Sequence, residues 1–165
     1  MDKSKSIALL NSAVADELQA VHQYMYFHFH LDDQGFAPLA ALFKRIAIME
    51  MVHIENLAER ILFLKGDVKM EAAGPVEQIQ DAEAMLKKAA GMEEQSARDY
   101  NKMAQECAQN SDSASKQIFE QLVLDEEGHF DIFEKQMENI QRFGPSYLAL
   151  QSFNSAPGPG APAGE

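Results

Sequence analysis

One pattern of glutamate and histidine occurs twice in this sequence with the same spacing. Each copy consists of a lone glutamate and, further along the chain, a Glu-x-x-His segment. The two copies are Glu17, Glu50 and His53, and Glu93, Glu126 and His129. The separation of Glu17 from Glu50 equals that of Glu93 from Glu126, so all three residues recur at one common offset. Such self-similarity indicates two similar halves, and the fold has to place both copies in equivalent positions.

Four long segments of the chain are predicted to be helices, because apolar residues recur in them at helical spacing. Their approximate ranges are 5–31, 38–65, 81–109 and, starting at 112 or 113, to 143. Pro38 suits the first turn of the second helix, and Asp112 or Ser113 can cap the fourth. The Gly144-Pro145 pair ends the fourth helix, and residues 145–153 are expected to form a short fifth one.

The lengths of the connections predict how these helices pack. The first and third connections are short, so the helices that they join are antiparallel neighbours. The second, residues 66–80, could span roughly 50 Å when extended, whereas a helix of about thirty residues is roughly 45 Å long. The sequence therefore predicts an all-α, four-helix bundle of two helix pairs, with one long crossover between the second and third helices.

The composition fits a single folded domain. Apolar residues make up 46% of the 165 residues, so we expect one domain with a sizeable core over residues 1–153. The last segment, 154–165, is rich in proline and glycine and is expected to be disordered. The lone cysteine, Cys107, cannot form an internal disulfide.

Charge and hydropathy argue against several kinds of partner. The net charge of −12 disfavours nucleic acid and anionic membrane surfaces, and it is compatible with attracting cations. No apolar run reaches the length that spans a membrane, and the first residues lack the apolar core of a secretory signal. We therefore expect a cytoplasmic protein with neither a nucleic-acid nor a membrane partner.

The repeated pattern has the chemistry of a metal site. A glutamate and a histidine three residues apart on a helix point in directions about 60° apart, so both can bind one ion. Four carboxylates and two imidazoles suit two divalent ions of the iron or manganese class. We expect Glu50 and Glu126 to bridge the two ions, Glu17 and Glu93 to hold one ion each, and each histidine to complete one ion.

A tyrosine also repeats with the pattern. Tyr24 lies seven residues after Glu17, and Tyr100 lies seven residues after Glu93, which places each tyrosine two turns along the same helix face. These tyrosines are either hydrogen-bond donors that support the metal ligands or core residues of amphipathic helices.

The segments ADELQAVHQYM, EMVHIENLAERILFLKG and LDEEGHFDIFE resemble bacterioferritin, the haem-binding branch of the ferritins, and the similarity runs from about residue 5 to 153. The resemblance implies a ferroxidase centre, with two iron ions per subunit, where O₂ or peroxide oxidises Fe(II). It also implies a shell of 24 identical subunits that stores ferric mineral, and an electron donor for iron release. The implied iron ligands are Glu17, Glu50, His53, Glu93, Glu126 and His129.

Met51 is predicted to point out of the bundle, because it is rotated about 130° from the mean direction of Glu50 and His53. Its outward neighbours are apolar, whereas the equivalent positions in the second copy of the repeat are polar or small. The pairs are Met51 and Glu127, Val52 and Gly128, Met25 and Asn101, and Phe29 and Gln105. This difference between the halves indicates a subunit contact on the first helix pair.

In bacterioferritins the residue that matches Met51 is the axial haem ligand, supplied by both subunits at a two-fold interface. The resemblance thus implies one haem per two subunits, bound by Met51 from each. The alternative is that Met51 only packs in the interface, since the chain has nine methionines.

The sequence departs from some bacterioferritins at an inner-surface iron site, where those proteins have a histidine and an aspartate. Arg45 and Met49 occupy these positions here, so the inner site is not expected. Two other functions share parts of the pattern. One is a rubrerythrin-like di-iron peroxide reductase, although the usual cysteine-rich iron domain is absent from the sequence. The other is a haem-bridged dimer that carries electrons.

Overall fold

The structure, a computed structural model, describes residues 1–153 and contains five α-helices in that range. Their bounds are α1 Lys3–Asp33, α2 Ala37–Phe63, α3 Ala82–Gln109, α4 Ser113–Phe143 and α5 Pro145–Phe153. The described residues include no β-strand, so the all-α prediction is confirmed. None of the described helices is long and apolar enough to cross a membrane. The predicted disordered tail, 154–165, lies outside the described residues.

Local side-chain and backbone geometry sets the helix ends. Asp2 accepts a hydrogen bond from the backbone N–H of Ser4 at 2.9 Å, so α1 begins two residues before the predicted start. Asp81 and Asp112 cap α3 and α4 in the same way. The second helix ends two residues earlier than predicted, because Lys65 adopts a left-handed conformation with φ of 69°.

Side chains of α1 hold the crossover that connects α2 to α3. Asn11 hydrogen-bonds the backbone of Asp67 and Lys69 at 3.0 and 2.8 Å. Further along α1, Gln23 hydrogen-bonds the backbone carbonyl and N–H of Glu77 at 2.9 and 2.8 Å. Because these contacts advance along α1, α3 begins beside the end of α1 and runs antiparallel to it. The long crossover predicted from the connection lengths is confirmed.

Two apolar clusters fill the bundle on either side of a polar middle layer. One contains Phe27, Phe43 and Phe133, and the other contains Leu57 and Phe119. On each of the four long helices, the glutamate of the repeated pattern lies between positions that belong to different clusters. The packing on both sides therefore holds these glutamates at a common depth in the bundle.

Replacing Leu57 by alanine tests the second apolar cluster. Leu57 is fully buried, so we expect Leu57→Ala to lower the free energy of unfolding by about 2–5 kcal/mol through lost burial and the cavity that remains. Guanidinium unfolding followed by circular dichroism measures this change. The matched control is Leu124→Ala, because Leu124 is 62% exposed; equal losses in both variants would contradict the assignment of Leu57 to the core.

Candidate metal centre

All six residues of the repeated pattern lie in the middle layer of the bundle. Each of the four long helices contributes one glutamate, and α2 and α4 each add a histidine one turn further on. Every one of the six side chains is buried, with at most 5% of its residue surface exposed. Burying this many ionisable groups is costly unless they compensate one another or bind ions, so the cluster requires a chemical explanation.

The six side chains form two overlapping groups of four ligand atoms. Within each group the four atoms all lie within 4.8 Å of one another. Glu50 and Glu126 belong to both groups. The groups are Glu17, Glu50, His53 and Glu126, and Glu50, Glu93, Glu126 and His129. Glu17 is thus grouped with His53, and Glu93 with His129, a pairing that the sequence had left open.

Both imidazoles turn Nδ1 towards the carboxylates. His53 Nδ1 lies 2.8 Å from Glu50 Oε2 and 3.3 Å from Glu126 Oε1. His129 Nδ1 lies 3.0 Å from Glu50 Oε1 and 3.5 Å from Glu93 Oε2. The two rings stack with their centroids 5.9 Å apart. Glu50 therefore faces both histidines, one with each oxygen, as a carboxylate between two ions would.

Several of these buried atoms make no well-aligned hydrogen bond among the described residues, although some of them lie within ion-pair distance of one another. They include both carboxylate oxygens of Glu50, Oε1 of Glu126, and Nδ1 of each histidine. Buried polar atoms are nearly always paired in folded proteins, so these atoms point to a further binding partner. Carboxylate oxygen and imidazole nitrogen are ligands that iron and manganese accept, and the donor set fits two such divalent ions.

The two repeated tyrosines reach across to the other half of the bundle. Tyr100 Oη donates a hydrogen bond to Glu17 Oε1 at 2.7 Å, and Tyr24 Oη donates to Glu93 Oε1. Because α1 and α3 are antiparallel, the seven-residue step along each helix brings each tyrosine opposite the other helix's glutamate. Each hydrogen bond leaves the second oxygen of its glutamate free for an ion and holds the carboxylate in one orientation.

The site redistributes protons when it holds no metal. Burial lowers the pKa of His129, but the adjacent carboxylates of Glu50 and Glu93 outweigh it and raise the pKa to about 10. The pKa of His53 is raised in the same way, against burial, by Glu126, Glu17 and Glu50. Burial raises the pKa of Glu17 to about 8. The raised pKa values favour the protonated form of both imidazoles and of Glu17 at neutral pH.

These pKa values predict that metal binding releases protons. A carboxylate or imidazole binds a metal in its deprotonated form, and the pKa of His129 and that of Glu17 both lie above 7. At pH 7 we expect Co(II) binding under anaerobic conditions to release one proton from each histidine and a further proton from Glu17, and binding to weaken as the pH falls from 8 to 6. Calorimetry in two buffers of different ionisation enthalpy counts the protons. Binding without proton release would contradict the raised pKa values of the two histidines.

One neighbour of the site was missed by sequence reasoning. Asp125 on α4 places Oδ2 3.4 Å from His53 Nε2, on the side of the ring away from the carboxylate cluster. No signal in the repeat marks Asp125, because its equivalent in the first copy is Met49.

Met51 lies on the opposite side of α2 from the site, as expected from its rotation. It is 49% exposed, whereas the adjacent Glu50 is fully buried. Arg45 and Met49 are also exposed on α2.

A four-helix bundle with a long crossover and a buried carboxylate–histidine centre defines the ferritin-like class of proteins. Comparisons with known proteins agree with this class. The profile of the ferritin-like domain family matches residues 7–143. The chain is 37% identical to the bacterioferritin of Desulfovibrio desulfuricans over 89% of this chain and 82% of that protein. It is 36% identical to the bacterioferritin of Rhodobacter capsulatus over 93% of this chain and 94% of that protein.

Solved structures of the same two proteins superpose closely. The D. desulfuricans bacterioferritin structure, described as showing the diiron site in different catalytic states, has a TM-score of 0.88 at 34% identity and covers 96% of this chain and 95% of its own. The R. capsulatus structure has a TM-score of 0.89 at 34% identity, with 98% and 99% covered. The chain therefore belongs to the ferritin-like family, in its bacterioferritin branch.

Proposed function

We propose that this protein oxidises Fe(II) at the buried centre and stores the product as ferric mineral inside a homo-oligomeric shell of 24 subunits. The observation that carries the proposal is the pair of four-atom groups that share Glu50 and Glu126. The two shared carboxylates would hold two ions next to each other, and one further glutamate and one histidine would complete the ligands of each ion. Such a centre treats a pair of Fe(II) ions as its substrate.

Pairing the ions matches the electron count of the reaction. Two Fe(II) ions supply two electrons, and O₂ takes up these electrons with two protons to give hydrogen peroxide. Hydrogen peroxide can itself accept two more electrons and two protons to give water. The four negative charges of the carboxylates balance the four positive charges of two divalent ions, and they stabilise the higher charge of Fe(III) further. The ligand set therefore favours the oxidised ions, which is the direction that a ferroxidase needs.

The related structures support iron as the metal. The D. desulfuricans protein is described with a diiron site, and the R. capsulatus protein with a metal-free dinuclear site and a haem iron. In this chain we assign six residues as the iron ligands. They are Glu17, Glu50, His53, Glu93, Glu126 and His129, with Tyr24 and Tyr100 holding two of the carboxylates.

The outward face of α2 supports a haem at a two-fold subunit contact. Beside Met51 on α2, Ile48 and Val52 are 46% and 48% exposed. Apolar side chains exposed in one patch indicate a contact surface, and a thioether among them is a suitable axial ligand for haem iron. A two-fold axis would bring Met51 from each subunit to the two sides of one haem. When bound, haem supplies a one-electron redox centre.

The proposal extends to the setting of the protein. We place it in the cytoplasm, with Fe(II) and O₂ or hydrogen peroxide as substrates and an electron donor for iron release. Arg45 and Met49 are poor iron ligands compared with a histidine and an aspartate. We therefore do not assign to Arg45 and Met49 the inner-surface iron site of some bacterioferritins.

Removing both shared carboxylates tests the ferroxidase function. We expect Glu50→Ala combined with Glu126→Ala to abolish rapid Fe(II) oxidation, because the ions lose the ligands that hold them together. Stopped-flow absorbance of ferric product measures the rate. Glu127→Ala is the matched control, since Glu127 is an exposed neighbour on the same helix. Retained oxidation in the double variant would refute the site.

Sedimentation of the wild-type protein and of the double variant tests the assembly. A shell of 24 chains of 18.4 kDa is easily distinguished from a dimer. If the wild-type protein is found only as a dimer, storage is refuted, and a haem-bridged electron carrier becomes the better explanation.

Replacing Met51 tests the haem assignment. We expect Met51→Leu to lose the haem absorption bands, because leucine keeps the apolar volume and removes the sulfur ligand. Fe(II) oxidation should stay unchanged, since Met51 points away from the buried centre. Met70→Leu serves as the control, because Met70 is also exposed, at 63%, but lies in the crossover. Unchanged haem bands in Met51→Leu would show that another residue is the ligand.

A further inference from the structure

The two histidines of the centre have different surroundings on the ring edge that faces away from the carboxylates. His53 Nε2 lies 3.4 Å from Asp125 Oδ2, within ion-pair distance. His129 Nε2 is buried and has no hydrogen-bond partner among the described residues. The Nδ1 atoms, in contrast, face glutamate carboxylates in both halves. The two halves of the centre are therefore alike around Nδ1 of each histidine and differ around Nε2.

The internal repeat shows where this difference comes from. Asp125 directly precedes Glu126, and its counterpart in the first copy is Met49, which directly precedes Glu50. A carboxylate in one half is thus replaced by a thioether in the other. A thioether is a weak hydrogen-bond acceptor and carries no charge, so it cannot take the role of Asp125.

Asp125 lines a cleft on one side of the bundle. A cleft of about 460 Å³ between α2 and α4 reaches His53 and is lined by polar side chains, among them Asn56, Gln117 and Gln121. The Asp125 side chain is 35% exposed.

A carboxylate behind a metal-binding histidine has a known physical effect. When Nδ1 binds the ion, the proton of the neutral ring sits on Nε2 and can be donated to a carboxylate. Such a partner fixes the tautomer and orientation of the ring and makes it a stronger ligand. His53 Nε2 has the Asp125 carboxylate at ion-pair distance, whereas His129 Nε2 has no hydrogen-bond partner among the described residues.

We propose that Asp125 is a positioning residue for His53 and makes the two metal positions unequal. The position with Glu17 and His53 binds its ion first and more tightly. The position with Glu93 and His129 binds its ion second and more weakly. This inference rests on the proposed two-ion function of the centre.

Anaerobic titration with Co(II) alone tests the inference, because Co(II) is not oxidised during the experiment and its visible bands report the ligands. We expect the wild-type protein to bind two Co(II) ions per subunit in two resolved steps. His53→Ala should remove the tighter step, and His129→Ala the weaker one, which assigns the steps to the two positions.

Asp125→Ala is the decisive variant. Loss of a carboxylate behind a metal-binding histidine typically weakens binding about 10–100-fold, so we expect the tighter step to weaken by that factor and the other to stay unchanged. Asp131→Ala is the matched control, since Asp131 is an exposed aspartate on the same helix.

The outcomes separate this inference from the proposed function. Equal weakening of both steps in Asp125→Ala, as a general loss of packing would cause, overturns the inference, and so does an unchanged titration. In both cases the two-ion centre itself stands, because the wild-type protein still binds two ions. A wild-type protein that binds no pair of Co(II) ions refutes the proposed function and the inference together.

Discussion

Compensation of six buried ionisable side chains is the constraint on which the rest of this structure depends. An isolated carboxylate or imidazolium in an apolar bundle would cost several kcal/mol, by the usual order of magnitude. Here each imidazole faces carboxylates, and Glu50 lies between both rings at 2.8 and 3.0 Å. The apolar clusters above and below exclude water and hold the layer together. The arrangement is most favourable when two divalent ions replace the protons that the histidines carry.

The chain meets this constraint twice, with an approximate two-fold symmetry between its helix pairs. Antiparallel packing of α1 on α3 gives the crossed hydrogen bonds from Tyr100 to Glu17 and from Tyr24 to Glu93. The six residues of the cluster and the two tyrosines are the same in both halves. The halves differ at Asp125 and Met49, which are not part of the cluster. This difference changes how tightly each of the two positions binds its ion, but both positions remain.

The symmetry fails again on the outer surface, and there the failure separates two functions. Helix α2 buries Glu50 and His53 in the centre and exposes Met51 on its other side. The matching part of α4 exposes Glu127 and Gly128. Helix α2 therefore has the buried centre on one side and exposed apolar residues on the other. The positions on α4 that match Met51 and Val52 are Glu127 and Gly128, which is why the proposed subunit contact is assigned to α2.

Helix periodicity, connection lengths and the repeated glutamate–histidine spacing were enough to predict the bundle, the crossover and the set of six central residues. These features are local or depend on equal spacing along two helices, which places side chains at equal depth. The grouping of Glu17 with His53 and the crossed tyrosine contacts required the packed structure, because they depend on which helices are neighbours and in which direction they run. The role proposed for Asp125 could not be predicted from the sequence. Its contact, His53, lies on another helix, and its counterpart in the repeat is a methionine.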